Sequence, residues 1–163
     1  MNQGEIHEMQ PMRTWPGRRR TLLRFVLLRH LPETSAPHFD LLLELHPRRK
    51  LWDLVSSTDP TLAQITIEWS AHGLHRRRYL RFEGEIGQHR GIVKRVESGQ
   101  YVVYGNGGAL RIQLIGAHWK RTFQMLRERF GRYRWVHVRR EAPDFGDTIC
   151  NLVRGRTGIR KSE

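Results

Sequence analysis

His30, His38 and Asp40 are the residues of this sequence whose types and spacing suit metal chemistry. The segment His30-Leu-Pro-Glu-Thr-Ser-Ala-Pro-His38-Phe39-Asp40-Leu-Leu-Leu-Glu44 offers two imidazoles and a carboxylate that a divalent ion can use together. From Phe39 to Leu45 the apolar residues Phe39, Leu41, Leu43 and Leu45 alternate with Asp40 and Glu44, and His38 continues the polar row. A β-strand therefore buries the first set and presents the second on one face, with Leu42 the single break. On such a strand His38 and Asp40 are same-face neighbours ~7 Å apart, close enough to converge on one ion. His30 ends the preceding apolar run, and the Pro-containing loop after it can fold it back beside them. Nitrogen and oxygen donors that leave coordination positions open suit a catalytic metal better than a closed structural one.

A second constellation is His75-Arg-Arg-Arg-Tyr79-Leu-Arg81-Phe82-Glu83-Gly84. Read as an extended strand, it puts His75, Arg77, Tyr79, Arg81 and Glu83 on one face, a set of imidazole, phenol and guanidinium donors suited to phosphate. His75 and Tyr79 would then stand about 13 Å apart, so both reach one phosphate only if the backbone bends between them. A solvated basic strand is the plain alternative. Gly84-Glu-Ile-Gly87-Gln-His-Arg90-Gly91 is glycine-rich, but no helix pattern follows it, which excludes a P-loop or dinucleotide-binding reading. Trp52, Trp69, Trp119 and Trp135 fall within apolar runs and read as core. His89 and His118 read as loop and surface residues.

The elements that must position these groups are short and β-like. Apolar runs at Leu22–Arg29, Phe39–His46, Lys50–Val55, Gln64–Trp69, Tyr79–Glu83, Gly91–Val96, Gln100–Tyr104, Leu110–Ile115, Trp119–Leu126 and Tyr133–Arg139 alternate with turn residues such as Glu97-Ser98-Gly99. This spacing predicts a mainly β chain, a compact antiparallel β-barrel with few short helical turns. Gln124–Gly131 has one or two helical turns as its alternative to strand. Residues 1–20, with Arg18-Arg19-Arg20, and 141–163 lack an apolar period and read as basic tails around a 21–140 domain.

The chain has 163 residues, with 29 Lys plus Arg against 16 Asp plus Glu and a formal charge of +13. A balance so basic and so rich in Arg favours a polyanionic partner, nucleic acid before a membrane surface. The single cysteine, Cys150, excludes an internal disulfide and a thiolate zinc cage. No apolar stretch approaches the ~20 residues that span a bilayer, and the start lacks a signal-peptide pattern. The expected compartment is the cytoplasm.

Taken in order, these motifs resemble those of the 3′-phosphoesterase domain of bacterial DNA ligase D and its stand-alone relatives. That family's pattern opens with a strand ending in His and continues to His-[Tyr/Trp/Phe]-Asp-Leu-x-Leu-Glu, matched by His38-Phe39-Asp40-Leu41-Leu42-Leu43-Glu44. A Trp follows, here Trp52. Then comes His-x-x-x-Tyr-x-x-[Phe/Tyr]-Glu-Gly, matched by His75, Tyr79, Phe82, Glu83 and Gly84. The segment Arg90 to Tyr101 resembles the family's next hairpin. The likeness runs from about Leu22 to Arg139. It implies a β-barrel in which His30, His38 and Asp40 bind a divalent metal, typically Mn2+. It also implies that His75 and Tyr79 attend the scissile phosphate, with Glu44 at the family's active-centre carboxylate. The implied activity is trimming of nucleic-acid 3′ ends, removing a terminal ribonucleoside or a 3′-phosphate in DNA end repair, alongside end-joining proteins such as a ligase. The chain departs from the pattern at Leu42, Ser56 and Ile67, where fused members carry Arg, Lys and Arg. Arg77, Arg81 and Arg90 are the candidate replacements for phosphate binding, and His72 competes with His75 for the match.

The leading expectation is thus a hydrolase, a manganese-dependent 3′-phosphoesterase. The alternative is a barrel that binds nucleic acid without cutting it, its metal centre degenerate. A third reading is a non-haem iron oxygenase that uses His89 or His118 as a distant ligand.

Overall fold

The computed structural model describes residues 22–45, 50–63, 65–105 and 110–138. The basic tails 1–20 and 141–163, Cys150 included, lie outside the described residues. In chain order the strands are β1 (Leu23–Leu31), β2 (His38–Glu44), β3 (Leu51–Ser56), β4 (Thr66–His75), β5 (Gly84–Glu85), β6 (Ile92–Tyr104), β7 (Arg111–Gly116), β8 (Lys120–Arg127) and β9 (Arg132–His137). They form one sheet in the order β1-β2-β3-β4-β9-β8-β7-β6-β5, and pairing of β1 with β6 closes it into an antiparallel barrel. The expected β-barrel is the fold. A 3-10 turn at Arg77–Leu80 is the one helical element among the described residues. Among those residues no helix is long and apolar enough to cross a membrane.

Strand alternation divides the chain between two cores. Leu27, Leu41 and Leu54 are successive cross-strand partners, as are Phe25, Leu43 and Trp52. Partners directly opposite share a face, and these point into the barrel with Trp69, Phe123, Tyr133 and Trp135. The opposite parity faces outward yet is not bare. Val26, Leu28, Leu42 and Leu51 form a second core with Leu80 and Val93, flanked by Tyr79, Phe82 and Ile86. The connection from β4 to β6 therefore lies like a flap over the outer face of β1–β3. The site is built under its edge, outside the barrel.

Three local expectations are corrected. Tyr79–Glu83 is not a strand. The amides of Tyr79 and Arg81 donate to the carbonyls of Arg76 and Arg78 at 3.1 Å each, because a tight turn lets Tyr79, Leu80 and Phe82 all reach the second core. Glu97-Ser98-Gly99 does not end a strand, since β6 is continuous. Val96 bulges out of the register with β1. The buried Glu97 carboxylate accepts the amides of Ser98, Ala117 and His118 at 2.8–2.9 Å. Gly99 is required by the approach of β7, where a Cβ would collide with the Ile115 carbonyl. Gln124–Gly131 is not helical: β8 runs on to Arg127, and a turn leads into β9.

Candidate active site

Antiparallel pairing places His30 directly opposite His38, and Asp40 opposite Leu28 one step along the same face. The two rings meet edge to face with centroids 4.6 Å apart. His30 Nδ1 lies 3.5 Å from Asp40 Oδ2, and His38 Nε2 lies 3.3 Å from Asp40 Oδ1. The ligand atoms of the three residues all fall within 4.8 Å of one another, the one such group of metal-ligating side chains among the described residues.

The far side of each ring decides what those inner nitrogens can do. His30 Nε2 donates to the Arg90 carbonyl at 2.8 Å, and His38 Nδ1 donates to the Ala36 carbonyl at 3.3 Å. A carbonyl only accepts, so each neutral ring carries its proton on the outer nitrogen and turns a lone pair toward Asp40. This is the orienting contact that metal-bound histidines make. The spacing agrees. Donors about 2.1 Å from an ion and about 90–110° apart stand roughly 3.0–3.4 Å from each other. The donor set of two imidazoles and one carboxylate fits a divalent ion. Burial first, then the charge of Asp53, pushes the Asp40 carboxyl above its usual range against the pull of His38, His30 and His75. A bound cation would reverse that balance.

The cluster opens into a cleft of about 320 Å³, which also takes in Asp53, His72, His75, Tyr79, His89 and Arg90. His75 reaches it through an irregularity in β4. Ile67 and Trp69 point into the barrel, and strict alternation would send His75 the same way. Between β3 and β4 the register shifts, so that Gly73 faces Asp53, Ala71 faces Leu54 and His72 is the extra residue. Gly73 sits at φ +127°, a conformation that favours glycine. The bulge reverses the parity and turns His75 outward onto Asp53.

His75 Nε2 donates to Asp53 Oδ2 at 2.9 Å. That bond, helped by the charges of Asp53 and Asp40, raises the His75 pKa above its usual value, against burial and the Arg90 charge. The Tyr79 ring packs edge-on against His75 at 5.3 Å. The 3-10 turn supplies the bend that an extended chain lacks. Asp53 went unrecognised in the sequence. Its signal is a carboxylate inside the apolar run Leu51-Trp52-Asp53-Leu54-Val55, yet it is only 3 % exposed. Its Oδ1 is buried and has no hydrogen-bond partner among the described residues. A buried carboxylate oxygen left so is costly unless a ligand or the imidazolium offsets it.

Other nominated residues stand elsewhere. Glu44, 3 % exposed, does not line the cleft. Arg24 bonds it through its amide and guanidinium at 2.9–3.2 Å, and Arg77 Nε lies 3.0 Å away. Burial raises the Glu44 carboxyl, but these bonds and charges outweigh it and hold it below the usual range. Arg77 is thus turned to Glu44, Arg81 is exposed away from the lining, and Arg90 alone of the three arginines borders the cleft. Leu42 is in the second core and lines the cleft floor. Ile67 faces the barrel interior, so that position cannot serve the site. Ser56 bonds the Thr58 amide at 3.2 Å. His72 borders the cleft beside His75, but His75 is the one bonded to Asp53. His118 stands 3.3 Å from Glu97, and His89 is an exposed rim residue 3.5 Å from Glu33. Neither joins the three-residue cluster. No protein-family model matches this sequence, and no curated protein matches it.

Proposed function

We propose that this barrel is a divalent-metal-dependent phosphoesterase acting on nucleic-acid 3′ ends, with His30, His38 and Asp40 as the ligands of Mn2+. The observation that carries the reading is the paired anchoring of the two imidazoles. Each outer N–H is tied to a backbone carbonyl, which turns both inner ring nitrogens toward one carboxylate. When bound, the ion would supply a Lewis acid for a phosphoryl oxygen and an acidified water.

The protein's own groups account for the rest. Arg90, Tyr79 and the His75 imidazolium border the space a phosphate would occupy and meet the charge that grows on it. In hydrolysis the water oxygen forms a new bond to phosphorus while the bond to the leaving oxygen breaks, the 3′ oxygen when a terminal phosphate is removed and the 5′ oxygen of the terminal ribonucleoside when that is released. The departing oxygen takes a proton from His75 Nδ1, and Asp53 holds the Nε2 proton throughout. The attacking water gives one proton to solvent, from which His75 is recharged. The raised pKa of His75 suits this acid role near neutral pH. The basic charge of the chain supports a nucleic-acid substrate, and the resemblance points to end repair in the cytoplasm beside a ligase.

The test is manganese-dependent release of phosphate or a ribonucleoside from a 3′-terminated primer by the full chain, with bound Mn2+ measured in parallel. His38→Ala and Asp40→Ala should lose both metal and turnover. Normal turnover in either would overturn the proposal. A second reading, binding without cleavage, draws support from the cation inventory: Leu42 is apolar and Glu44 occupies Arg77, which leaves one guanidinium at the cleft. Under that reading chelation leaves affinity unchanged and no turnover is found at any metal concentration.

A further inference from the structure

The hairpin between β8 and β9 carries a residue that folding alone disfavours. Arg132 N donates to Arg129 O at 3.3 Å, which makes Arg129 to Arg132 a β-turn with Phe130 and Gly131 at its centre. Both central residues have positive φ, +58° and +70°, the signature of a type I′ turn, where Asn-Gly is the favoured pair. A bulky aromatic in the left-handed region is an outlier. Phe130 is also 96 % exposed, the most exposed large apolar side chain among the described residues. Neither the backbone nor the ring gains from this placement in the free protein. Such strain, held at an exposed tip, is characteristic of binding sites.

Its position ties it to the proposed centre. Asp40, Val55, Ser70 and Arg132 are successive cross-strand partners along β2, β3, β4 and β9, so they share the outer face of the sheet. At about 4.8 Å per strand, Arg132 stands ~14 Å from Asp40. The tip is fastened to the cleft wall: Ala71 N donates to Gly131 O at 2.9 Å, and Ala71 adjoins the bulged His72 that borders the cleft. Arg129 and Arg132 are the outer residues of this turn and are exposed. Glu128, the nearby carboxylate, is paired with Arg134 at 3.2 Å.

We infer that Phe130 is a base-stacking platform, with Arg129 and Arg132 as phosphate contacts, for the unpaired strand whose 3′ end enters the cleft. This rests on the proposed function and narrows its substrate to single-stranded tails, since the internal pairs of a stacked duplex offer no free base face. An aromatic with flanking cations is the recurring chemistry of single-strand recognition and needs no particular base.

The test is fluorescence anisotropy with the full-length protein in EDTA, using a labelled single-stranded oligodeoxynucleotide and a loop-free blunt duplex with the same number of phosphates. Circular dichroism verifies folding. Phe130→Ala should weaken single-strand binding about ten-fold, within the range of one lost stacking contact, and leave duplex affinity unchanged. Phe130→Trp should restore it, and Phe130→Leu should not. Arg132→Ala should lower the salt dependence on the single strand by about one phosphate contact. Unchanged single-strand affinity in Phe130→Ala, equal losses on both probes, or full rescue by Leu would each overturn the platform. Failure of the phosphoesterase reading shows separately, as absence of manganese-dependent turnover by the unaltered chain with the Phe130 effect on binding intact.

Discussion

The Asp53–His75 pair decides how the site handles protons. Nε2 of His75 is held at 2.9 Å by a carboxylate that is almost wholly enclosed, so the imidazolium is favoured over the neutral ring. Because the folded pKa lies above the ordinary 6.5, the pair's contribution to stability is complete below pH ~6.5 and is lost as pH rises through the folded value. The His75 side chain is 40 % exposed, so solvent screening keeps that contribution small. In Asp53→Asn the His75 pKa should fall toward or below the ordinary value, and the alkaline limb of any rate profile should move to lower pH. A histidine titration by NMR on metal-free protein checks the first part. A pKa that stays raised would show that Asp53 is not its cause. Histidines and Asp40 were visible in the sequence by alternation and spacing. Asp53 was not, because an isolated acid in an apolar run becomes meaningful only once its cross-strand neighbours are known.

At the level of elements, the site depends on two close approaches. Gly91 has φ +87°, and a Cβ there would collide with the Leu31 carbonyl. Its absence lets the start of β6 press against the end of β1, which brings the Arg90 carbonyl onto His30. Gly91→Ala should therefore misorient that ring and weaken Mn2+ binding by about 10–100-fold, as loss of an orienting contact does. Calorimetric titration measures it, and unchanged affinity would show that the carbonyl is dispensable. The second approach is the flap. Leu80 docks into the outer core, so Leu80→Ala should cost about 2 kcal/mol, the low end for a buried Leu, as read from the urea midpoint. The same change should loosen the Tyr79–His75 contact. The sequence pattern placed strands at β1–β4 and β6–β9, but it broke β6 at Glu97-Ser98-Gly99 and extended the chain through Arg77–Leu80. Both errors have one source: turn-type residues serve a bulge and a close crossing in β6, while apolar residues beyond His75 pack on an outer face whose existence only the fold reveals.

For the whole molecule, closure of the barrel leaves a rigid wall on which the metal cluster, the cleft and the β8–β9 tip share one outer surface. The interior is braced by aromatic contacts, with Trp135 at 5.4 Å from Trp69 and 5.7 Å from Phe123. Trp135→Ala should cost about 3–5 kcal/mol, a large share of the ~5–15 kcal/mol of a typical domain, and thermal unfolding measures it. The formal charge of +13 makes electrostatics dominate encounter with nucleic acid. Affinity for a single strand should fall linearly with salt on logarithmic axes, by ~0.7 per phosphate contacted. Chelation should abolish turnover and leave that slope in place. A slope that vanished with the metal would assign binding to the ion and not to the basic surface.

What the sequence by itself determined is what local pattern encodes: the β class, the barrel-facing residues of β2, and the face that His38 shares with Asp40. Each follows from an alternation of period two, which a strand expresses whatever it pairs with. Tertiary structure decided which carboxylates and cations meet. Glu44 shares a strand face with Asp40, but Arg24 and Arg77 claim it. His75 faces the cleft because a bulge reverses its parity. Asp53 enters the site because β3 lies beside β2. Those pairings arise between strands distant in sequence, where register and closure of the sheet, not residue type, set the neighbours.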